Sequence, residues 1–221
     1  MIENREIMMR MFPELFQAIN IEPVENYSSY LLDILKSLAP RNCENDPKIV
    51  ILTPGPLNSA YYEHSFLADT MGVELVQGTD LLVENNITFM RTTKGKERID
   101  IIYRRIDDDY IDPLSFNQSS VIGIPGLFDS YRAGNVNICS APGSGIADDK
   151  AIYSYMPEII RFYLGQEPIL PSIKTWRCGN EQDKDYVLKN LKKLVVKEVH
   201  GSGGYGMMIG SASNNAKINM F

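Results

Sequence analysis

Between Lys48 and Thr53 the chain reads KIVILT, apolar throughout between its ends and far shorter than a helix. Such a run is a buried strand. Pro54-Gly55-Pro56 ends it, and a helix pattern runs from Asn58 to Met71, with Asn58 placed to cap it and Gly72 just past its end. Val73–Val76 is strand-like again. Strand, helix and strand in alternation predict an α/β fold with a largely parallel sheet. Further strand-like runs lie at Leu81–Val83, Ile87–Arg91, Asp100–Arg104 and Val136–Cys139. The stretch from Asp112 to Ala133 is mixed, with a short helix over Gly126–Ala133 ended by Gly134.

Two regions flank this core. Before it, helix patterns cover Glu6–Phe16 and Tyr27–Leu38, the latter with Tyr30, Leu31, Ile34, Leu35 and Leu38 at helical spacing and Pro40 as its stop. Their packing partner is expected to lie outside the chain. After it, Ala141-Pro142-Gly143-Ser144-Gly145 reads as a loop, and Asp148 and Asp149 open a helix whose apolar face holds Ile152, Tyr155, Met156, Ile159, Ile160 and Tyr163. Pro157 predicts a kink or restart there, since proline costs about 3 kcal/mol inside a helix. A strand (Ser172–Arg177), a helix (Glu181–Leu191) and a strand (Leu194–Val199) follow.

Composition bounds the function. The 221 residues carry a formal charge of −6, so no broad cationic surface is available for nucleic acid. A small phosphorylated ligand needs only a few local cations. Cys43, Cys139 and Cys178 are scattered, which reads as reduced thiols in a cytoplasmic protein. His64 and His200 are the only histidines, too few for a histidine-rich metal site. No segment is apolar for long enough to cross a bilayer.

The densest chemistry is LVVKEVHGSGGYG, residues 194–206. Strand alternation places Lys197 with Val195 and Val199, predicting a lysine in an apolar or half-apolar cleft, costly unless it meets an anion. The glycine-rich loop after it offers bare N–H groups, a way to cradle phosphates. A dinucleotide fingerprint would need a helix and an acidic residue downstream, yet Met207–Phe221 holds no acidic residue. A phosphate-binding loop of the Gly-Lys-Ser/Thr type is absent as well. A plain surface turn is the competing reading of the glycines. In Gly143–Lys150 (GSGIADDK), Lys150 alone reads as a solvated helix-start lysine; with Lys197 it frames a helix–strand–helix–strand unit.

Two further clusters lie at strand ends. Tyr103-Arg104-Arg105-Ile106-Asp107-Asp108-Asp109 is a local salt-bridged patch or a carboxylate site through Arg104 or Arg105. Thr53–Ala60 carries Asn58 and Ser59, helix caps by default and substrate contacts if the loop borders a crevice. His64 is expected to be a packed or surface histidine rather than a base.

Across nearly the whole chain the sequence resembles the circularly permuted ATP-grasp family, often called glutathionylspermidine-synthase-like. The resemblance rests on LTPGPLNSAYYEHSFLADTMGVELV, RIDIIYRRIDDDYIDP, YRAGNVNICSAPGSGIADDKAIYSYMPEIIRFYLGQEPILP and LVVKEVHGSGGYGMMIG. It implies an ATP-dependent ligase joining a small-molecule carboxylate to an amine through an acyl phosphate. It implies a helical lead-in over 1–46, a pre-ATP-grasp α/β domain over 47–140, and a phosphate-binding lobe over 141–221. In that lobe Lys150, Lys197, Gly201, Ser202, Gly203, Gly204, Tyr205 and Gly206 would bind nucleotide. Asn58, Ser59, Arg104 and Arg105 would contact substrate. Mg²⁺ is implied, with ligands expected outside this chain, since family members are about twice as long. The same comparison allows a truncated remnant, a non-catalytic nucleotide-binding module, or a chain completed by a complementary partner.

Overall fold

The computed structural model describes residues 2–201, 204 and 206–218. The fold is mixed α/β and divides into two compact units, Met1–Gly143 and Ser144–Phe221. The first runs α1 (Ile2–Met11), α2 (Pro13–Ala18), α3 (Tyr27–Ser37), β1 (Ile49–Leu52), α4 (Tyr61–Met71), β2 (Glu74–Val76), β3 (Leu81–Glu84), β4 (Ile87–Thr92), β5 (Gly95–Arg98), β6 (Ile101–Arg104), α5 (Leu127–Arg132) and β7 (Asn137–Cys139).

Its centre is a four-stranded sheet in the order β2-β1-β6-β7, parallel at every pairing. All of β1 is buried, and its residues alternate between two cores. Ile49 and Ile51 pack with Leu35 of α3 and Leu67, Ala68 and Met71 of α4. Val50 and Leu52 pack on the other face with Leu81, Met90, Ile124 and Leu127. Both faces are covered, which is why the run carries no polar alternation. The second face is covered in part by an antiparallel sheet, β3-β4-β5. Its first hairpin turns at Asn85 and Asn86, whose φ values of 52° and 60° match a type I′ turn.

Several expectations change here. The first helix is two, α1 and α2, because Pro13 starts a new helix rather than continuing one. The lead-in's partner is not outside the chain for α3, which buries Ser28 and Leu35 against α4 and the sheet. Ser28 Oγ lies 2.8 Å from Thr70 Oγ1. Tyr30, Ile34 and Leu38, expected on the packed face, are exposed, and α1 and α2 bury no residue. Asn58 is not the N-cap of α4. Ala60 is, and Asn58 Oδ1 instead accepts Ala60 N–H at 2.9 Å in the preceding turn. Gly72 does end the helix, at φ 68°. Strand β5, sequence GKER, has no apolar signal and was not expected; pairing with β4 makes it.

The second unit holds α6 (Lys150–Leu164), α7 (Glu181–Asn190), β8 (Val195–Lys197), β9 (Met207–Ile209) and α8 (Asn215–Ile218). Helix α6 runs unbroken through Pro157, with neither end failing: Asp149 Oδ1 caps Ala151 and Ile152, and Gly165 closes the C-terminus at φ 62°. Only the one hydrogen bond that position 157 would donate is lost. Ser172–Arg177 is not a strand, because no described strand pairs with it. Side chains satisfy part of its backbone instead, Tyr153 Oη accepting from Ile173 N–H and Asp183 Oδ2 from Arg177 N–H. Strand β8 is shorter than expected and pairs antiparallel with β9, also unexpected. Among the described residues, no helix is long and apolar enough to cross a membrane. The three cysteines are free thiols.

Candidate functional site

The chain leaves β1 through α4 to β2 on one side, and β6 lies on the other side of β1. The strand order therefore reverses between β1 and β6, the position where open parallel sheets form a ligand crevice at their C-terminal ends. Thr53-Pro54-Gly55-Pro56 leaves β1 at that point, and Arg104 and Arg105 leave β6.

The two arginines differ. Arg104 is tied down on all sides: Nε donates to Ser140 O and Nη1 to Ile106 O, each at 2.7 Å, and Nη2 pairs with Asp108 at 2.6 Å. It clamps the end of β6 to the segment after β7. Arg105 donates its backbone N–H to Leu52 O at 2.7 Å, extending the ladder with β1. Its Nη2 meets Glu63 Oε1 of α4 at 2.5 Å, with 27% of the Arg105 side chain exposed. Asn58 and Ser59 are both exposed in the turn between β1 and α4.

Beneath this pair lies His64, 2% exposed. Its Nδ1 is 2.8 Å from Thr53 Oγ1, and that oxygen accepts Gly55 N–H at 3.3 Å. The hydroxyl oxygen has two lone pairs, so with Gly55 donating to one, Thr53 either donates to Nδ1 or accepts from it, according to the ring's tautomer. Nε2 makes no hydrogen bond among the described residues. Burial, and then the charge of Arg105, push the His64 pKa below the usual imidazole range, with Glu63 opposing. Gly55 is required here: at φ 107°, a Cβ would lie 2.7 Å from Gln77 Oε1. Thr53 and Glu63 were missed as site residues, because their link to Arg105 depends on the β1–β6 pairing.

In the second unit, Lys150 opens α6, and its Nζ donates to Gly201 O at 2.7 Å and Val199 O at 3.4 Å. His200 Nδ1 is 3.6 Å from Asp149 Oδ2. The N-terminus of α6 thus meets the backbone that leads from β8 into the glycine loop. Lys197 stands at the end of β8, opposite Met207. Contrary to the expected apolar cleft, Lys197, Val195 and Val199 are all exposed; the two-stranded ribbon leaves that face uncovered. Gly201, Gly204 and Gly206 have φ values of 135°, 81° and 60°, conformations open to glycine. Ser202, Gly203 and Tyr205 lie outside the described residues.

A family profile described as a circularly permuted ATPgrasp matches residues 1–221. The chain belongs to the circularly permuted ATP-grasp family. Among relatives of this ATP-grasp chain, an uncharacterized protein of Synechocystis sp. is 52% identical over 213 residues, covering 96% of this chain and 44% of the relative. An uncharacterized protein of Mycobacterium tuberculosis is 48% identical over 217 residues, covering 98% and 39%. A Frankia alni protein named "Putative glutamate–cysteine ligase 2-3" is 38% identical over 209 residues, 95% of this chain and 24% of that protein. The ATP-grasp chain therefore spans less than half the length of each of these relatives.

A half-buried Lys150 and an exposed Lys197 beside a glycine turn fit the polyphosphate that the ATP-grasp family implies. Mg²⁺ is different. Its sites are built from carboxylate oxygens, and among the described residues no three His, Cys, Asp or Glu side chains gather to hold a metal. An Mg²⁺ held by one or two carboxylates together with the nucleotide's phosphates would not need such a group.

Proposed function

We propose that this chain is the ATP-binding part of an ATP-dependent ligase that joins a carboxylate to an amine through an acyl phosphate. Lys150 and Lys197 hold the nucleotide phosphates, the backbone of Gly201–Gly206 closes over them, and the Met1–Gly143 unit holds substrate. The observation that carries this reading is Lys150 Nζ against Gly201 O at 2.7 Å, 51 residues apart in sequence. It brings one lysine to the very loop that the other precedes. Among the described residues the ammonium there meets neutral carbonyls, so its charge remains available to an anion. The name of the Frankia relative supports ligase chemistry.

Thermal unfolding with and without saturating ATP tests this. Ligand at 100 times its dissociation constant stabilises by about 2.7 kcal/mol, roughly 5–10 °C at this size. We expect that shift in the wild type and its loss in both Lys150→Met and Lys197→Met. A full shift surviving in both variants would remove the phosphate-grip assignment.

A second reading is a nucleotide-binding module without ligase chemistry of its own. Phosphate release from ATP by the 221-residue chain separates the two: sustained turnover supports the ligase, and binding without turnover the module.

A further inference from the structure

We propose that the crevice at the C-terminal ends of β1 and β6 binds the zwitterionic head of a free α-amino acid, Arg105 taking the carboxylate and Glu63 the ammonium. This rests on the ligase reading, for which it names the substrate class.

An α-amino acid presents opposite charges a few ångströms apart. The Arg105–Glu63 pair, in contact at 2.5 Å, presents the complementary charges side by side. It can open around such a head and leave each charge paired again, so the exchange strands no ion. A guanidinium has five donors in a planar fork that suits a carboxylate, and Glu63 engages only Nη2 of Arg105.

A plain surface ion pair would explain the contact but not its surroundings. The backbone of Arg105 is fixed by Leu52 O, and Glu63 is fixed on α4, so neither anchor point is mobile loop. Next to Glu63 in sequence is His64, more than nine-tenths buried. Its contact with Thr53 Oγ1 at 2.8 Å ties the start of α4 to the segment leaving β1, which fixes Glu63 relative to Arg105. The neighbouring Arg104 offers none of this, being committed to Ser140, Ile106 and Asp108.

The test is saturation-transfer NMR on the 221-residue chain with the twenty protein L-amino acids, taken in small pools. At least one should receive saturation. For that amino acid, the analogue lacking the amine and the analogue lacking the carboxylate should each bind about 10–100-fold more weakly. Arg105→Ala should lose a similar factor for the amino acid. Glu63→Gln should lose it for the amino acid but not for the deaminated acid. No transfer to any of the twenty, or equal binding of the deaminated acid, overturns the proposal. The analogue series is read on the wild type, so it decides even where a variant fails to fold. The ATP-induced thermal shift is recorded in parallel. A shift without amino-acid binding sinks this inference alone, and binding without a shift sinks the nucleotide assignment alone.

Discussion

The two units are built from similar proportions of apolar residues to different degrees of completion. In Met1–Gly143 the sheet is covered on both faces, and Ile51, Ile101, Ile111, Ile124 and Leu127 are fully enclosed. Among the described residues of Ser144–Phe221 the buried hydrophobics are Val187 and Met208, and the 15-residue α6 buries none. Phe162, Tyr163, Ile169, Leu170 and Ile173 stand open to solvent instead. The first unit gains its stability from interior packing, roughly 1.5–3 kcal/mol for each large apolar side chain enclosed. The second depends on local devices: the Asp149 and Asn180 caps, the Gly165 terminus and a two-stranded ribbon. Under the proposed function, a phosphate-binding glycine loop sits on the second kind of scaffold and a fixed charge pair on the first.

The largest expected effect breaks the comparison most directly. Ile51→Ala removes a fully enclosed side chain and should cost about 2–5 kcal/mol in urea unfolding. Phe162→Ala, at a residue 81% exposed, should stay within about 0.5 kcal/mol. Similar costs for the two would mean that α6 is covered in solution and that the units do not differ as described.

An intermediate effect asks whether the second unit opens alone. A Cβ on Gly210 would lie 1.7 Å from Leu191 O, a backbone atom that cannot swing aside. Gly210→Ala should cost about 1–3 kcal/mol, the usual range for overpacking. In hydrogen exchange the loss of protection should be confined to β8, β9 and α7, with β1 amides unchanged. Parallel loss in β1 would show that the two units unfold as one.

What could be read from the sequence divides along the same line. KIVILT was legible as a buried strand because two covering layers demand an unbroken apolar run. Gly72 and Gly134 marked chain reversals because a residue without a Cβ sits most easily at their φ values of 68° and 72°. The helix starts at Asp149 and Asn180 follow from short side chains that accept nearby N–H groups. Illegible were the features made by a partner. Strand β5 is Gly-Lys-Glu-Arg, and only β4 makes it a strand. Ser172–Arg177 has strand-like residues and no described partner. For the candidate site, the 194–206 loop was visible as composition. The contact of Lys150 with Gly201 and that of Arg105 with Glu63 span 51 and 42 residues, and no local pattern encodes either. The different commitments of the adjacent Arg104 and Arg105 were equally hidden, since they depend on which carbonyls the β7 exit brings near.

The smallest effect concerns acid. The first unit encloses a histidine; in the second, the His200 side chain is 88% exposed. Burial and the Arg105 charge hold the His64 pKa below its unfolded value of ~6.5. Between those two values the unfolded chain binds more protons than the folded one, so stability rises with pH there. The contribution is therefore complete above about pH 6.5 and is lost as pH falls towards the folded pKa. Replacing the ring removes the titration: His64→Gln should flatten this part of the stability profile, read as wild type minus variant. The slope should register in β1 and α4 amides, which pack around His64, and not in β8. A difference profile that stays flat below pH 6.5 would mean the imidazole is charged in the folded state. Nδ1 would then donate to Thr53 Oγ1 in acid, and neither burial nor the Arg105 charge would be holding the ring neutral.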